Sequence, residues 1–179
     1  MDRLSTPSSV LLAAAAIGSL CALACGKRAY VVEDAAPAAS SEAHVFLAPL
    51  IELRNDAARH VPLMLTGDGS SSGRRNPTLT FDLTPNDVAP QMGCGNMNGL
   101  SASEIVFLAP GEHAKLGWVN APTPSKPGRY TLRATYRNDP TSKDLGDNRE
   151  GPETDRLVAR VRKTVPCTLV SNVVSFSWP

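Results

Sequence analysis

From residue 45 onward, apolar and polar positions alternate in short runs. "LIELRN" sets Ile51 and Leu53 against polar neighbours, and "HVPLMLTG" puts Val61, Leu63 and Leu65 on one face. "TLTFDLT" does the same with Leu79, Phe81 and Leu83, and "RYTLRATY" with Tyr130, Leu132, Ala134 and Tyr136. "SEIVFLA", "HAKLGWV" (Leu116 with Trp118) and "LVSNVVSFSW" (Val170, Val174, Phe176, Trp178) complete the series. Alternation over four to eight residues marks half-buried strands. No segment in this region sustains a long apolar period of 3.6 residues. "DRLVARVRK" fits either a short helix lined by Leu157, Val158 and Val161 or a strand lined by Leu157, Ala159 and Val161. Turn signals separate the runs: "GDGSSSGRRNP" as a loop, "APGEH" as a tight turn, and Pro127-Gly128 as a pair suited to a type II turn. Pro166 should delay strand pairing until after it. Seven or more short strands in about 130 residues predict an all-β antiparallel sandwich, with a barrel as its rival.

The first 44 residues read differently. "SSVLLAAAAIGSLCALACGKRAY" is almost wholly apolar or small from residue 10 to residue 25, with Arg3 ahead of it. That run of 16 residues is shorter than the about 20 a membrane-spanning helix requires, and it suits the apolar region of a signal peptide. After it, "GKRAYVVEDAAPAASSEAH" carries Ala, Pro and Ser without apolar period, and residues 25–44 read as a flexible linker.

Composition adds limits. The 179 residues suffice for one domain plus a leader, and the net charge of +1 supplies no field to gather nucleic acid. The basic cluster Arg156, Arg160, Arg162 and Lys163 is too small to change that. The 15 Pro and 13 Gly are scattered, as punctuation between strands requires.

Two resemblances follow from these residues. "ALACGK", small residues running directly into a Cys, resembles the lipobox of bacterial lipoprotein precursors. The resemblance implies a signal peptide over residues 1–24, cleavage after Ala24, and lipidation of Cys25. Where that family prefers Leu, this chain has Ala22; an ordinary signal cut after Ala22 or Ala24 is the alternative. Gly26 after the Cys, instead of Asp, implies the outer membrane over the inner. The second resemblance rests on "LAPGE", a Trp six residues after that Glu, "PGRYTLRATY" and "SNVVSF". These look like the immunoglobulin-like sandwich domains of bacterial surface proteins, over residues 45–179. It implies that Tyr130 is the corner tyrosine of that fold. Leu132 stands where antibody domains carry a Cys, so their inter-sheet disulfide is absent from its familiar place.

With Cys21 removed in the signal and Cys25 lipidated, an exported chain retains Cys94 and Cys167, which read as one disulfide. Closing a loop of about 73 residues would contribute about 4 kcal/mol in the chain-entropy model. Candidates for catalysis are weak. "GSSSG" matches Gly-x-Ser-x-Gly around Ser71, but a turn and a strand follow it where a nucleophile elbow needs a helix. His44, His60 and His113 lack zinc spacing, and no cofactor is implied. The most suggestive segment is the acidic loop carrying Asp139, Asp144, Asp147, Glu150, Glu153 and Asp155. It lacks the ligand order of a calcium loop, and Lys143, Arg149 and Arg156 offset its charge, so it reads as a solvated binding loop. The expectation is a non-enzymatic, lipid-anchored envelope module with a binding or structural role and an envelope protein as partner. A protease-inhibitor-like module and a serine hydrolase using Ser71 are the alternatives.

Overall fold

The computed structural model describes residues 28–39, 45–90, 97–117, 119–146 and 150–179. Among them are nine strands: β1 (Arg28–Ala39), β2 (Val45–Asn55), β3 (Val61–Met64), β4 (Thr78–Thr84), β5 (Ile105–Leu108), β6 (His113–Lys115), β7 (Gly128–Asn138), β8 (Cys167–Val170) and β9 (Val174–Trp178). One helix, α1 (Pro152–Val161), and a 3-10 turn at Ala102–Glu104 complete the secondary structure of these residues. Every strand pairing is antiparallel, and the protein is all-β.

The strands form a sandwich-like arrangement. One layer has the order β1-β2-β6, continued past a kink by β3 paired with β5. Asn55 holds that kink. Its side-chain amide donates to the carbonyls of Leu108 and Arg59, both at 2.8 Å, while its backbone exchanges bonds with Glu112 and Gly111. Gly111 takes φ +78°, which the "APGEH" turn requires and which glycine adopts without strain. The other layer centres on β7, with β4 along one edge and β8 then β9 along the other. β8 and β9 share that edge but are broken at Ser171, whose hydroxyl accepts from the Ala134 N–H at 2.9 Å in place of a ladder bond. The single run expected over "LVSNVVSFSW" is therefore two strands, and Val173 in the break is exposed.

The alternation places the core. Ile51, Leu53, Val61, Leu63, Leu79, Leu108, Leu116, Ala134, Tyr136 and Leu169 form one buried cluster between the layers. Leu83, Tyr130, Leu132 and Trp178 form a second toward the Gly128 end of β7. Pro166 precedes β8 directly, as its missing N–H demands.

Two expectations are corrected, and one left open between helix and strand is decided. Residues 28–39, read as linker, run as β1 along β2, with a register shift between Val32 and Ala35. The β-branched and aromatic run Tyr30-Val31-Val32 supplies the strand propensity that the Ala and Pro content masked. The ambiguous run after residue 154 is helical. Pro152 stands at the start where its missing N–H costs nothing, Glu153 and Asp155 sit at the positive end, and Arg160 sits at the negative one. Gly128 has φ 159° and opens β7 opposite Trp178, so Pro127-Gly128 is a strand entry and not a type II turn. The expected signal peptide, Cys25, His44, Cys94, Trp118 and Asp147 lie outside the described residues.

Candidate functional site

The acidic segment lies beyond the Asn138 end of β7, and its first part is stitched to the sandwich. Asp139 accepts from the backbone N–H and the hydroxyl of Thr141, at 2.9 and 2.6 Å. These bonds to Thr141 hold the Asp139 carboxyl below its ordinary value, with smaller help from Arg137 and Arg162. The Asn76 N–H donates to the Asp144 carbonyl at 2.7 Å, and the Leu100 N–H to the Leu145 carbonyl at 2.9 Å. The expected loop ends at Gly151, because Glu153 and Asp155 belong to α1.

Beneath this segment lies a polar network that the hydrophobic pattern gives no sign of. Arg75 is 1% exposed, and its Nη2 donates to Glu104 Oε2 at 2.6 Å. Glu104 Oε2 also accepts from the Ser101 N–H at 2.6 Å, while Ser101 caps the 3-10 turn in a reciprocal capping box. Asn138 donates to Thr164 Oγ1 and to the Val165 carbonyl, tying the end of β7 to the exit of α1. Asn76 accepts from the Asp139 N–H at 2.9 Å. The guanidinium fits only because a glycine faces it: a Cβ on Gly67 would lie 1.7 Å from Arg75 Nη1. One sequence signal for part of this network is "SASE", the Ser-x-x-Glu spacing of a capping box.

Between the 99–102 stretch and α1 lies a cleft of about 790 Å³. Leu100, Leu145, Leu157 and Val158 give it apolar walls; Ser101, Lys143, Glu150 and Glu153 give it a polar rim with charges of both signs. Val161 anchors the helix on Met64, Leu100 and Ile105, with Leu145 and Leu157 packed against that cluster. Part of one cleft wall is thus fixed to the core.

The expected acids divide. Glu150 and Glu153 line this cleft, Asp139 and Asp144 line a separate cavity of about 170 Å³ beside Arg75 and Arg137, and Asp155 is exposed on α1. Among the described residues, no three His, Cys, Asp or Glu side chains converge as a metal site. Ser71 lies in the turn between β3 and β4, and its hydroxyl accepts from the Asn120 N–H at 3.0 Å. A strand follows that turn, so the strand-to-helix geometry of a nucleophile elbow is not formed there. Cys167 is buried at the start of β8.

At the opposite end of β7, Asp87 accepts from the Ser125 hydroxyl and pairs with Lys126 at 2.9 Å. The Tyr130 hydroxyl donates to the Lys126 carbonyl at 2.8 Å, and its ring stacks on Phe176 with centroids 5.9 Å apart. No family model matches this chain, and no curated protein or solved structure matches it. Among the described residues no helix is long and apolar enough to cross a membrane.

Proposed function

We propose that this chain is a lipid-anchored lipoprotein of the cell envelope whose immunoglobulin-like sandwich binds a protein partner through the cleft beside α1. The cleft carries the binding reading: apolar walls offer burial, and the mixed-charge rim offers orientation. The anchor rests on "ALAC" after a short apolar run, with Cys25 as the acylated residue and the outer membrane as the address. Support for the immunoglobulin-like fold comes from strand order. β1-β2-β6 against β4-β7-β8/β9 follows the A-B-E and C-F-G orders of that fold. The Tyr130 hydroxyl bond to a carbonyl four residues upstream has the form of its tyrosine corner. Export would also join Cys94 to Cys167, which peptide mapping of non-reduced protein detects; two thiols open to maleimide would reject the bond.

The test has two parts. Cys25→Ser should abolish fatty-acid labelling and release the protein from the membrane fraction. Affinity capture from the envelope should recover a partner with the wild-type chain and lose it with Ala102→Arg, which fills the cleft from an exposed position. Label retained by Cys25→Ser rejects the anchor, and capture unchanged by Ala102→Arg rejects the cleft.

A further inference from the structure

The solvent face of the β7 sheet carries a pattern that the cleft does not use. Along β7, the inward residues Tyr130, Leu132, Ala134 and Tyr136 alternate with outward Arg129, Thr131, Arg133, Thr135 and Arg137. All three arginines are exposed. They stand four residues apart on one strand, so successive charges lie about 13 Å apart in single file. The neighbouring strands place hydroxyls beside them. Thr84 lies opposite Thr131 and Thr80 opposite Thr135 on β4; Ser177 lies opposite Arg129, Ser175 opposite Thr131 and Thr168 opposite Arg137 on the other edge. Asp82 opposite Arg133 is the acid within this register, and Asp139 meets Arg137 only at 3.9 Å beyond the strand end. Among the described residues no ion pair engages Arg129 or Arg133. At the Arg129 end the face dips into an open trough of about 490 Å³ lined by Thr84, Arg129, Thr131, Ser175, Phe176 and Ser177.

We infer that this face binds a linear, carboxylate-bearing polysaccharide laid along β7. Guanidinium forks pair with carboxylates in two parallel hydrogen bonds, which suits acids repeated along a chain. The flanking Ser and Thr hydroxyls donate to and accept from sugar hydroxyls. The trough at the Arg129 end leaves room for a sugar residue beside the hydroxyls of Thr84, Ser175 and Ser177. A bilayer fits less well. Single-file charge flanked by hydroxyls offers no apolar side chains to enter the acyl boundary, as interfacial binding uses.

The test uses the full chain carrying Cys25→Ser, so that no acyl group drives membrane association. The probe is polygalacturonate, with dextran of equal length as the neutral control and phosphatidylglycerol vesicles as a second arm. Polygalacturonate should bind and dextran should not. Arg129→Gln with Arg133→Gln should weaken binding at least about tenfold, the scale of losing charge-assisted hydrogen bonds. Thr131→Val should weaken it severalfold without altering its salt dependence. Asp82→Asn should strengthen it, a gain that misfolding would not produce. Ala102→Arg should leave it unchanged, which separates this face from the cleft. Absence of polygalacturonate binding, equal binding by the double variant, or association with the vesicles alone would overturn the inference.

Discussion

At the Asn138 end of β7 the loops are held by polar groups sealed from water, whereas at the Gly128 end they are held by groups that stand in it. Arg75, Asn76, Asn138 and Thr164 are all buried. The Arg75–Glu104 pair has side chains 1% and 16% exposed, against 73% and 33% for Lys126–Asp87. Both pairs are close, at 2.6 and 2.9 Å, so distance does not separate them. Dielectric does. A surface pair competes with water and salt and adds little, while a buried charge that loses its partner has no water to replace it. The difference suits the roles proposed for the two regions. A cleft whose walls must keep their spacing lies above the sealed network, and the exposed end joins the segments around Asp87 and Ser125.

The largest expected effect tests whether the sealed end depends on pairing. Glu104→Ala leaves the Arg75 guanidinium buried and also removes the acceptor of the Ser101 N–H. Urea denaturation should show a loss of about 3–5 kcal/mol, the range for breaking a buried pair by removing one partner. The double variant Arg75→Met with Glu104→Gln, which removes the charge along with its partner, should recover most of that loss. A loss under about 1 kcal/mol for Glu104→Ala would put this pair in the class of surface salt bridges and dissolve the contrast.

How much of this was readable from sequence follows the same division. The strands and core were legible because burial on one sheet face writes a period of two; Leu132, Ala134 and Tyr136 are all fully buried as that period requires. α1 was half legible, since Leu157, Val158 and Val161 suit a helix and Leu157, Ala159 and Val161 a strand, and only tertiary packing on Met64 and Leu100 decides. β1 was missed because its Ala-Pro-Ala segment has linker composition, while pairing with β2 is a non-local event. The buried network was illegible. Arg75 sits in "GRRNP", which has the texture of a surface loop, and its burial depends on Gly67 and Glu104 meeting it from other segments. The cleft failed for the same reason: of the acids expected together, Glu150 and Glu153 reach it while Asp139 and Asp144 face another cavity.

A matched pair of substitutions sharpens the contrast at intermediate size. Tyr130 and Tyr136 lie on the same face of β7, and each donates its hydroxyl to a carbonyl: Lys126 at 2.8 Å and Met64 at 2.6 Å. Tyr136→Phe leaves the Met64 carbonyl without that donor in a fully buried residue, so it should cost about 1–3 kcal/mol. Tyr130→Phe leaves the carbonyl of exposed Lys126, which water can reach, and should cost about 0.5–1 kcal/mol while keeping the stack on Phe176. Paired urea titrations measure both. Equal losses would mean that the two ends are equally wet.

The smallest effect belongs to Asp87, and pH is the way to see it. The Ser125 hydroxyl first, then Lys126, favour the ionised carboxyl and hold Asp87 below its ordinary value of 3.8. A carboxyl lowered on folding stabilises the fold above its unfolded value and loses that contribution as pH falls through the folded one. Lys126 is raised above 10.5 by Asp87, so its share is present at neutral pH and lost only as pH rises through the raised value. Asp139 is lowered too, through Thr141 at the other end, and titrates in the same acid window. A single melting curve therefore mixes the two ends. The difference between wild type and Asp87→Asn isolates one. Their melting temperatures should differ slightly at pH 7, with wild type the higher, and converge as pH falls through the lowered value and the wild-type carboxyl protonates. Added salt at pH 7 should shrink the gap, because an exposed pair is screened. A gap that survives both acid and salt would mean that Asp87 acts through the hydrogen bond its carboxyl accepts from the Ser125 hydroxyl and not through its charge.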